Sequence, residues 1–329
     1  MTPVFSMFST IPFQSFRWIV LSSAVLATGG SCSIANELPH ATIRVLTYNV
    51  QFLPEPASAK NERPDPAYRA GQIAEQVSRF DLVGLQETFH TEHRRQILDQ
   101  VRQRWRDVFH LVESPTPEGF FTSGGCLIAT RLPILCSNST VYKHFSKPSD
   151  FGLRADGYAA KGVIHARVAR SESTPEDFID VFATHLEARD DDLRPLQYGE
   201  LATFVGSRSS AAHPAIVLGD MNTRGAKPYR DDPESQYSQL VKQLQGTRPE
   251  GRLIDVWPYL KGDALGGTTE QESHEIGKRI DYLFVLNPPQ PNPQLVPISV
   301  DVLLFQDPRV VALSDHNAVA AELRWEGKK

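Results

Sequence analysis

The sequence predicts an α/β domain built on mixed, largely antiparallel sheets. Three observations predict it. After about residue 40, short β-branched runs of period two alternate with amphipathic stretches of period 3.6. No segment repeats at a fixed spacing, and no shift in composition divides the body of the chain.

The first strand is "ATIRVLTYNV", ending near Asn49. A polar, proline-rich loop follows, and Pro66 then opens a helix whose apolar face is Tyr68, Ala70, Ile73, Ala74, Val77 and Phe80. "FDLVGLQE" reads as a buried strand ending in Glu87. The next helix buries Ile97, Leu98, Val101 and Trp105 and turns Arg94, Arg95, Arg102 and Arg104 to solvent. "GGCLIATRLPIL" reads as a hairpin, and "YAAKGVIHARVAR" pairs naturally with "DFIDVFATHL". Residues 196–205 form a helix, and "AIVLGDMN" is a strand running into a polar turn. "RIDYLFV", "SVDVLLF" and the segment after Asn317 complete the strands, with "NPPQPNPQLVP" as a connecting loop.

The N-terminus has the layout of an export signal. Arg17 precedes an apolar run over residues 18–27, and Ser33 and Ala35 flank Ile34 in a small-x-small cleavage pattern. The run is short for a bilayer span. Residues 1–35 are therefore expected to be a signal peptide, or a lipoprotein-type leader modified at Cys32, and residues 40–327 a single catalytic domain. The expected location is secreted, periplasmic or cell-envelope. Cys126 and Cys136 flank "RLP", which leaves a disulfide and two free thiols both open. No CxxC spacing suggests zinc or redox chemistry. A net charge of -5 gives no sign of a strongly basic nucleic-acid binder.

Function is signalled where apolar strands meet isolated polar residues. Asn49, Glu87, His185, Asp220 and Asn222 lie at strand ends, while Asp281 and the pair Asp315-His316 lie at strand beginnings. In antiparallel neighbours the end of one strand lies beside the start of the next, so all can meet on one rim. Singly, each fits a cap, a turn or a core histidine. Together they offer hard oxygen ligands suited to Mg²⁺ beside a substrate phosphate.

"TYNV", "LVGLQE", "ATHLEA", "LGDMN", "RIDYLF" and "SDHNAV", in that order, resemble the endonuclease/exonuclease/phosphatase superfamily. Within it, "TYNVQFLP", "SGGCLIATRLPI" and the Lys-Gly strand "DGYAAKGVIHARV" are most similar to the bacterial (neutral) sphingomyelinase C group. The resemblance implies a four-layer αββα sandwich of two mixed, mostly antiparallel sheets flanked by helices. It also implies metal-dependent phosphodiester hydrolysis, with Mg²⁺ as cofactor and Mn²⁺ or Co²⁺ able to substitute. Glu87 and Asn49, with Asp315 near them, are expected to hold the metal. His316 is the expected general base, oriented by Asp281. His185 and Asn222 are expected to donate to phosphoryl oxygens, Asp220 to place water or the leaving group, and Lys161 to contact phosphate. The expected substrate is a phospholipid head-group phosphodiester, reached by peripheral membrane contact, with nucleic acid as the alternative and no obligate protein partner. Phe120, Phe121, Phe145, Phe151 and Tyr158 are candidate lipid contacts. Sphingomyelinases often carry an aromatic hairpin between the last two motifs, but this chain has "LLFQDPRVVAL" there.

Overall fold

The computed structural model describes residues 42–54, 63–106, 108–152, 155–269 and 273–327. The expected leader, with Cys32, lies outside them. The described residues belong to the compact unit Ala35–Lys329.

Two six-stranded sheets stack face to face. The first contains β1 (Thr42–Phe52), β2 (Leu82–Thr88), β3 (His110–Glu113), β4 (Leu127–Thr130), β11 (Gln294–Leu303) and β14 (Ala318–Glu326), in the order β11-β14-β1-β2-β4-β3. The second contains β5 (Ile134–Val141), β6 (Gly162–Ala169), β7 (Phe178–His185), β8 (Ala215–Asp220), β9 (Arg252–Asp255) and β10 (Asp281–Asn287), in the order β5-β6-β7-β8-β10-β9. Within these sheets β1–β2 and β7–β8 are parallel, and the other pairings are antiparallel. A short hairpin, β12 (Gln306–Asp307) with β13 (Val311–Ala312), precedes β14.

Alternation of side chains sorts the apolar residues into three cores. Ile43, Val45, Leu82, Val181, Leu218, Leu283 and Val319 face between the sheets. Leu46, Tyr48, Val83 and Leu85 face α1 (Pro66–Val77) and α2 (Thr91–Arg104), packing on Ile73, Val77, Ile97 and Val101. Phe182, Val217 and Phe284 face α3 (Arg194–Arg208) and α4 (Gln236–Gly246), packing on Leu201, Val205 and Leu240. A further helix, α5 (Val256–Lys261), follows β9. The result is the expected four-layer αββα sandwich.

The expected hairpin across "RLP" does not form. β4 pairs with β2 and β3 in the first sheet, whereas β5 pairs with β6 in the second. Leu132, buried between the sheets, leads the chain across. All four β4 residues are buried, as a central strand requires, while β5 is a partly exposed edge. Both cysteines are free: Cys126 is buried in the inter-sheet core and Cys136 is exposed on β5. The proline-rich loop is also shorter than expected, since Gln294 to Pro297 already belong to β11. That strand is an edge, where proline costs no ladder bond, and its register shifts between Pro297 and Ser299.

One glycine is decisive for the rim. Gly219, just before Asp220, has φ 138°, and a Cβ there would lie 1.9 Å from the Thr184 carbonyl oxygen on the paired strand. Gly219→Ala is expected to destabilise the fold by about 1–3 kcal/mol from backbone strain, with further loss from the clash. Urea unfolding of the variant beside the parent measures it.

Candidate active site

The inter-sheet rows end in polar residues at one rim. In the second sheet Asp220 on β8 stands opposite His185 on parallel β7 and opposite Asp281 on antiparallel β10, so the three form a cross-strand row. In the first sheet the row Ile43, Val45, Thr47 ends in Asn49. Glu87 breaks this rule. Val83 and Leu85 on its strand face the helices, so alternation alone would send Glu87 there too. Its backbone is left-handed instead, φ 55°, which turns the side chain to Asn49. Gln51 (φ 51°) and Asn222 (φ 48°) share this conformation on the same rim. For non-glycine residues it costs roughly 1–3 kcal/mol each.

All of the candidate residues enter one connected network. The Asn49 amide nitrogen donates to Glu87 Oε1 and to Asp220 Oδ2, both at 3.1 Å. Its carbonyl accepts from the Gln51 backbone at 3.2 Å. Asn49 thus holds two carboxylates as a donor, and ligation through its oxygen would need the amide to turn. Asp315 Oδ2 accepts from Gln51 Nε2 at 2.8 Å. His316 Nδ1 lies 2.8 Å from Asp281 Oδ2, and its Nε2 lies 3.8 Å from Asp220 Oδ2. Asn222 closes an Asx turn onto Asp220 Oδ1 at 2.9 Å and donates one amide hydrogen to the Leu186 carbonyl at 3.1 Å.

His185 and Lys161 sit differently from what the sequence suggests. The Lys161 ammonium meets Asp156 Oδ2 at 2.7 Å, the Leu186 carbonyl at 3.0 Å and His185 Nε2 at 3.1 Å, which occupies its three hydrogens. Because an ammonium only donates, His185 Nε2 accepts and the ring proton belongs on Nδ1. In this arrangement Lys161 supports His185, and neither the lysine nor Nε2 is set up to donate to a phosphate.

Burial and crowding displace the proton affinities. Burial, then the charge of Asp315, raises Glu87 to about 7, against the opposing hydrogen bond from Asn49. Burial, then Asp281, raises Asp220 to about 6. Burial and the Lys161 charge drive His185 well below the ordinary imidazole range, so it is neutral. His316 moves the other way: burial lowers it, but Asp281 and Asp220 together lift it well above the ordinary value. Burial raises Asp156, but the charge and hydrogen bond of Lys161, with His185 and the Ala188 amide, together lower it to about 2.

These side chains fit a divalent cation. Asp220, Asp281 and His316 each offer a ligand atom within 4.8 Å of the others, beside the expected Glu87 and Asn49. Asp281 Oδ1 is buried without a hydrogen-bond partner among the described residues. Two carboxyls retaining protons near neutrality mark a surplus of negative charge that a cation relieves.

Several supporting residues were not singled out by the sequence. Asp156, Gln51 and Glu187 lie within "DGYAAKGVIHARV", "TYNVQFLP" and "ATHLEA", but none closes or opens an apolar run. Buried Glu187 accepts from the Ser146 backbone at 2.8 Å, the Ser146 hydroxyl at 3.0 Å and the Arg189 backbone at 2.9 Å. Arg69, fully buried on α1, donates to the Leu313 carbonyl at 2.8 Å and to those of Val50 and Gln51 at 2.7 and 3.3 Å. It lies 4.6 Å over the Phe52 ring. One guanidinium therefore ties the chain just after Asn49 to the chain just before Asp315.

Residues 46–316 match the model of the Endonuclease/Exonuclease/phosphatase family. The chain belongs to this family. The fold is this family's hydrolase fold, which supports a phosphoric diester hydrolase. Among curated proteins no relative matches. Solved structures agree on the fold. A Staphylococcus aureus beta toxin mutant with bound magnesium ions aligns with TM-score 0.61 at 17% identity, covering 87% of this chain and 99% of that one. Sphingomyelinase C from Streptomyces griseocarneus aligns at 0.55 and 16%, covering 85% and 99%. D. rerio TDP2 complexed with a single-strand DNA product aligns at 0.58 and 15%, covering 86% and 98%.

Two outcomes are expected. Arg69→Met leaves three backbone carbonyls without their charged donor and should cost roughly 3 kcal/mol or more in urea unfolding. For the cation, protons compete at Asp220 (about 6) and Glu87 (about 7), so affinity should rise from pH 5 to pH 8. The sign follows from linkage. Without cation, Glu87, raised from 4.5 to about 7, loses stability as pH climbs between those values, and His316, raised well above 6.5, keeps its stabilisation below 6.5 and loses it as pH climbs toward its folded value. Thermal melts with EDTA or Mg²⁺ across that range should show the cation stabilising most at pH 8. A Mg²⁺ shift independent of pH would contradict the assignment.

Proposed function

We propose that the protein is an exported, Mg²⁺-dependent phosphodiesterase of sphingomyelinase or phospholipase C type, which cleaves a phospholipid to a lipid alcohol and a phosphorylated head group. The observation that carries the reading is the His316–Asp281 pair set against the Asn49–Glu87–Asp220 cluster. A divalent cation bound among these carboxylates, including Glu87 and Asp220, would neutralise charge on the non-bridging phosphate oxygens.

The chain's own groups do the rest. With Nδ1 committed to Asp281, His316 presents Nε2 to the rim and takes a proton from water there. Asp281 fixes the ring and stabilises the imidazolium that results. The same carboxylates that lift the proton affinity of His316 would, once neutralised, let it fall back toward working pH. As the oxygen of water bonds to phosphorus in line, the bond from phosphorus to the lipid-alcohol oxygen breaks, and the departing oxygen takes a proton from solvent to give the alcohol. Asn222 has used one amide hydrogen, on Leu186, and offers the second to a phosphoryl oxygen. Lys161 keeps His185 neutral beside Asp220, and the ammonium's own charge offsets part of the repulsion between the carboxylates and an incoming phosphate.

A phospholipid is supported by the export-type leader, by the Lys-Gly strand at Lys161, and by the likeness to sphingomyelinase C and beta toxin. His316→Ala should lower turnover by about two to four orders of magnitude while the protein stays folded. Chain lacking residues 1–35 is assayed on sphingomyelin vesicles and on plasmid DNA, with Mg²⁺ or EDTA. Metal-dependent release of phosphorylated head group, lost in the variant, is expected. Cleavage of DNA alone would replace the substrate assignment, and full activity of His316→Ala would overturn the base.

A further inference from the structure

Two loops beside the rim carry aromatic side chains that the interior does not absorb. Phe121 is 64% exposed, and Phe120, Phe145, Phe151 and Tyr158 are each only partly covered. Phe120 and Phe145 meet edge to face at 5.6 Å, which joins the two loops into one apolar surface. Their backbones are also stitched together. The amides of Phe121 and Thr122 donate to the Tyr158 carbonyl at 2.9 and 3.2 Å, and that of Ala160 donates to the Thr122 carbonyl at 3.0 Å.

This surface is braced against the site. Ser146 is bound to Glu187 through its backbone and its hydroxyl, and the same hydroxyl accepts from the Asp156 amide at 2.8 Å. Asp156 holds Lys161, and Lys161 holds His185. Whatever the aromatic loops rest upon is thereby brought to a set position relative to the catalytic rim. The hairpin preceding β14 is held separately and presents no exposed aromatic side chain. Arg309 pairs with Asp65 at 2.8 Å, the Tyr68 hydroxyl donates to Asp307 at 3.0 Å, and Val310 is buried, so the hairpin is pinned onto α1 and leaves Val311 exposed.

We infer that residues 117–124, 143–152 and 155–158 form an interfacial surface that seats the enzyme on a zwitterionic phospholipid bilayer, an inference that rests on the phospholipid reading above. Exposed aromatics are costly in water and favoured at a bilayer interface, where a ring can leave water without its backbone doing so. Charge selects the kind of surface. Over these stretches the sequence sets Lys143, Lys147 and Arg154 against Glu118, Asp150 and Asp156, and His144 is paired with Glu200 at 2.5 Å. A nucleic-acid strand or an anionic membrane calls for a surplus of lysine and arginine. A balanced, aromatic surface suits a neutral bilayer.

The test separates docking from chemistry. Chain lacking residues 1–35 is floated with phosphatidylcholine/sphingomyelin vesicles in EDTA, where turnover is suppressed. Hydrolysis of soluble bis(p-nitrophenyl) phosphate with Mg²⁺, which needs no surface, is measured in parallel. The parent should bind the vesicles, and Phe121→Ser should lose about tenfold in partitioning, with Phe121→Ser/Phe145→Ser losing more. Soluble turnover should hold, and 0.5 M salt should change binding little. In Phe121→Trp the new indole emission should shift to the blue on adding vesicles. Equal vesicle binding by parent and Phe121→Ser, or an unshifted indole, would overturn the surface. So would binding of a single-stranded oligonucleotide that is lost in Phe121→Ser. Absence of soluble turnover in the parent would refute the chemistry and leave the docking result standing.

Discussion

A single carboxamide joins the two halves of the sandwich at the rim. Asn49 ends the inner row of the first sheet, and its nitrogen donates both to Glu87 of that sheet and to Asp220 of the second. The contact works only if the sheets stack at one depth and if Gly219 lets β8 approach β7 closely. It also draws the half-buried Glu87 and buried Asp220 carboxylates toward each other, which is unfavourable unless something positive is supplied. Most other features of the site answer that demand, by holding protons, by pairing with imidazolium, or by offering a place to a cation.

The rim is therefore costly in two ways, through charge and through backbone. Glu87 and Asp220 keep protons well above the usual carboxylate range, and His316 holds its own against burial because Asp281 and Asp220 flank it. Gln51, Glu87 and Asn222 adopt left-handed backbone. Such strain persists only where the surroundings over-determine it. Buried Arg69 supplies part of that determination by gripping the carbonyls of Val50, Gln51 and Leu313, and Lys161 supplies another part between Asp156 and His185. These two cations act on backbone and neighbours, which explains why neither is free for substrate in this arrangement.

Legibility followed the range of the interaction. Alternation within a strand is local, so the apolar rows ending in Asn49, His185, Asp220 and Asp281 could be read directly, as could the helix faces of α1 and α2. Strand partnership is not local. "LIAT" and "ILCSNSTV" look like two arms of a hairpin, yet they enter different sheets, because burial on both faces selects β4 for the sheet centre and leaves β5 at an edge. The alternation of "LVGLQE" would also have sent Glu87 toward the helices, and only its left-handed backbone returns it to the rim.

The sequence by itself determined which chemistry was on offer: hard oxygen donors and two histidines at strand mouths, in an order resembling that of the family to which the chain belongs. It also determined the layers, because period-two and period-3.6 patterns are written residue by residue. Tertiary structure alone decided how those groups are used. Lys161 meets His185 on the neighbouring strand, Gln51 reaches Asp315 from the far end of the domain sequence, and two loops merge their aromatics into one surface. Contacts of that kind depend on where separate segments are packed, and no local pattern encodes a distance between segments that meet only in the folded chain.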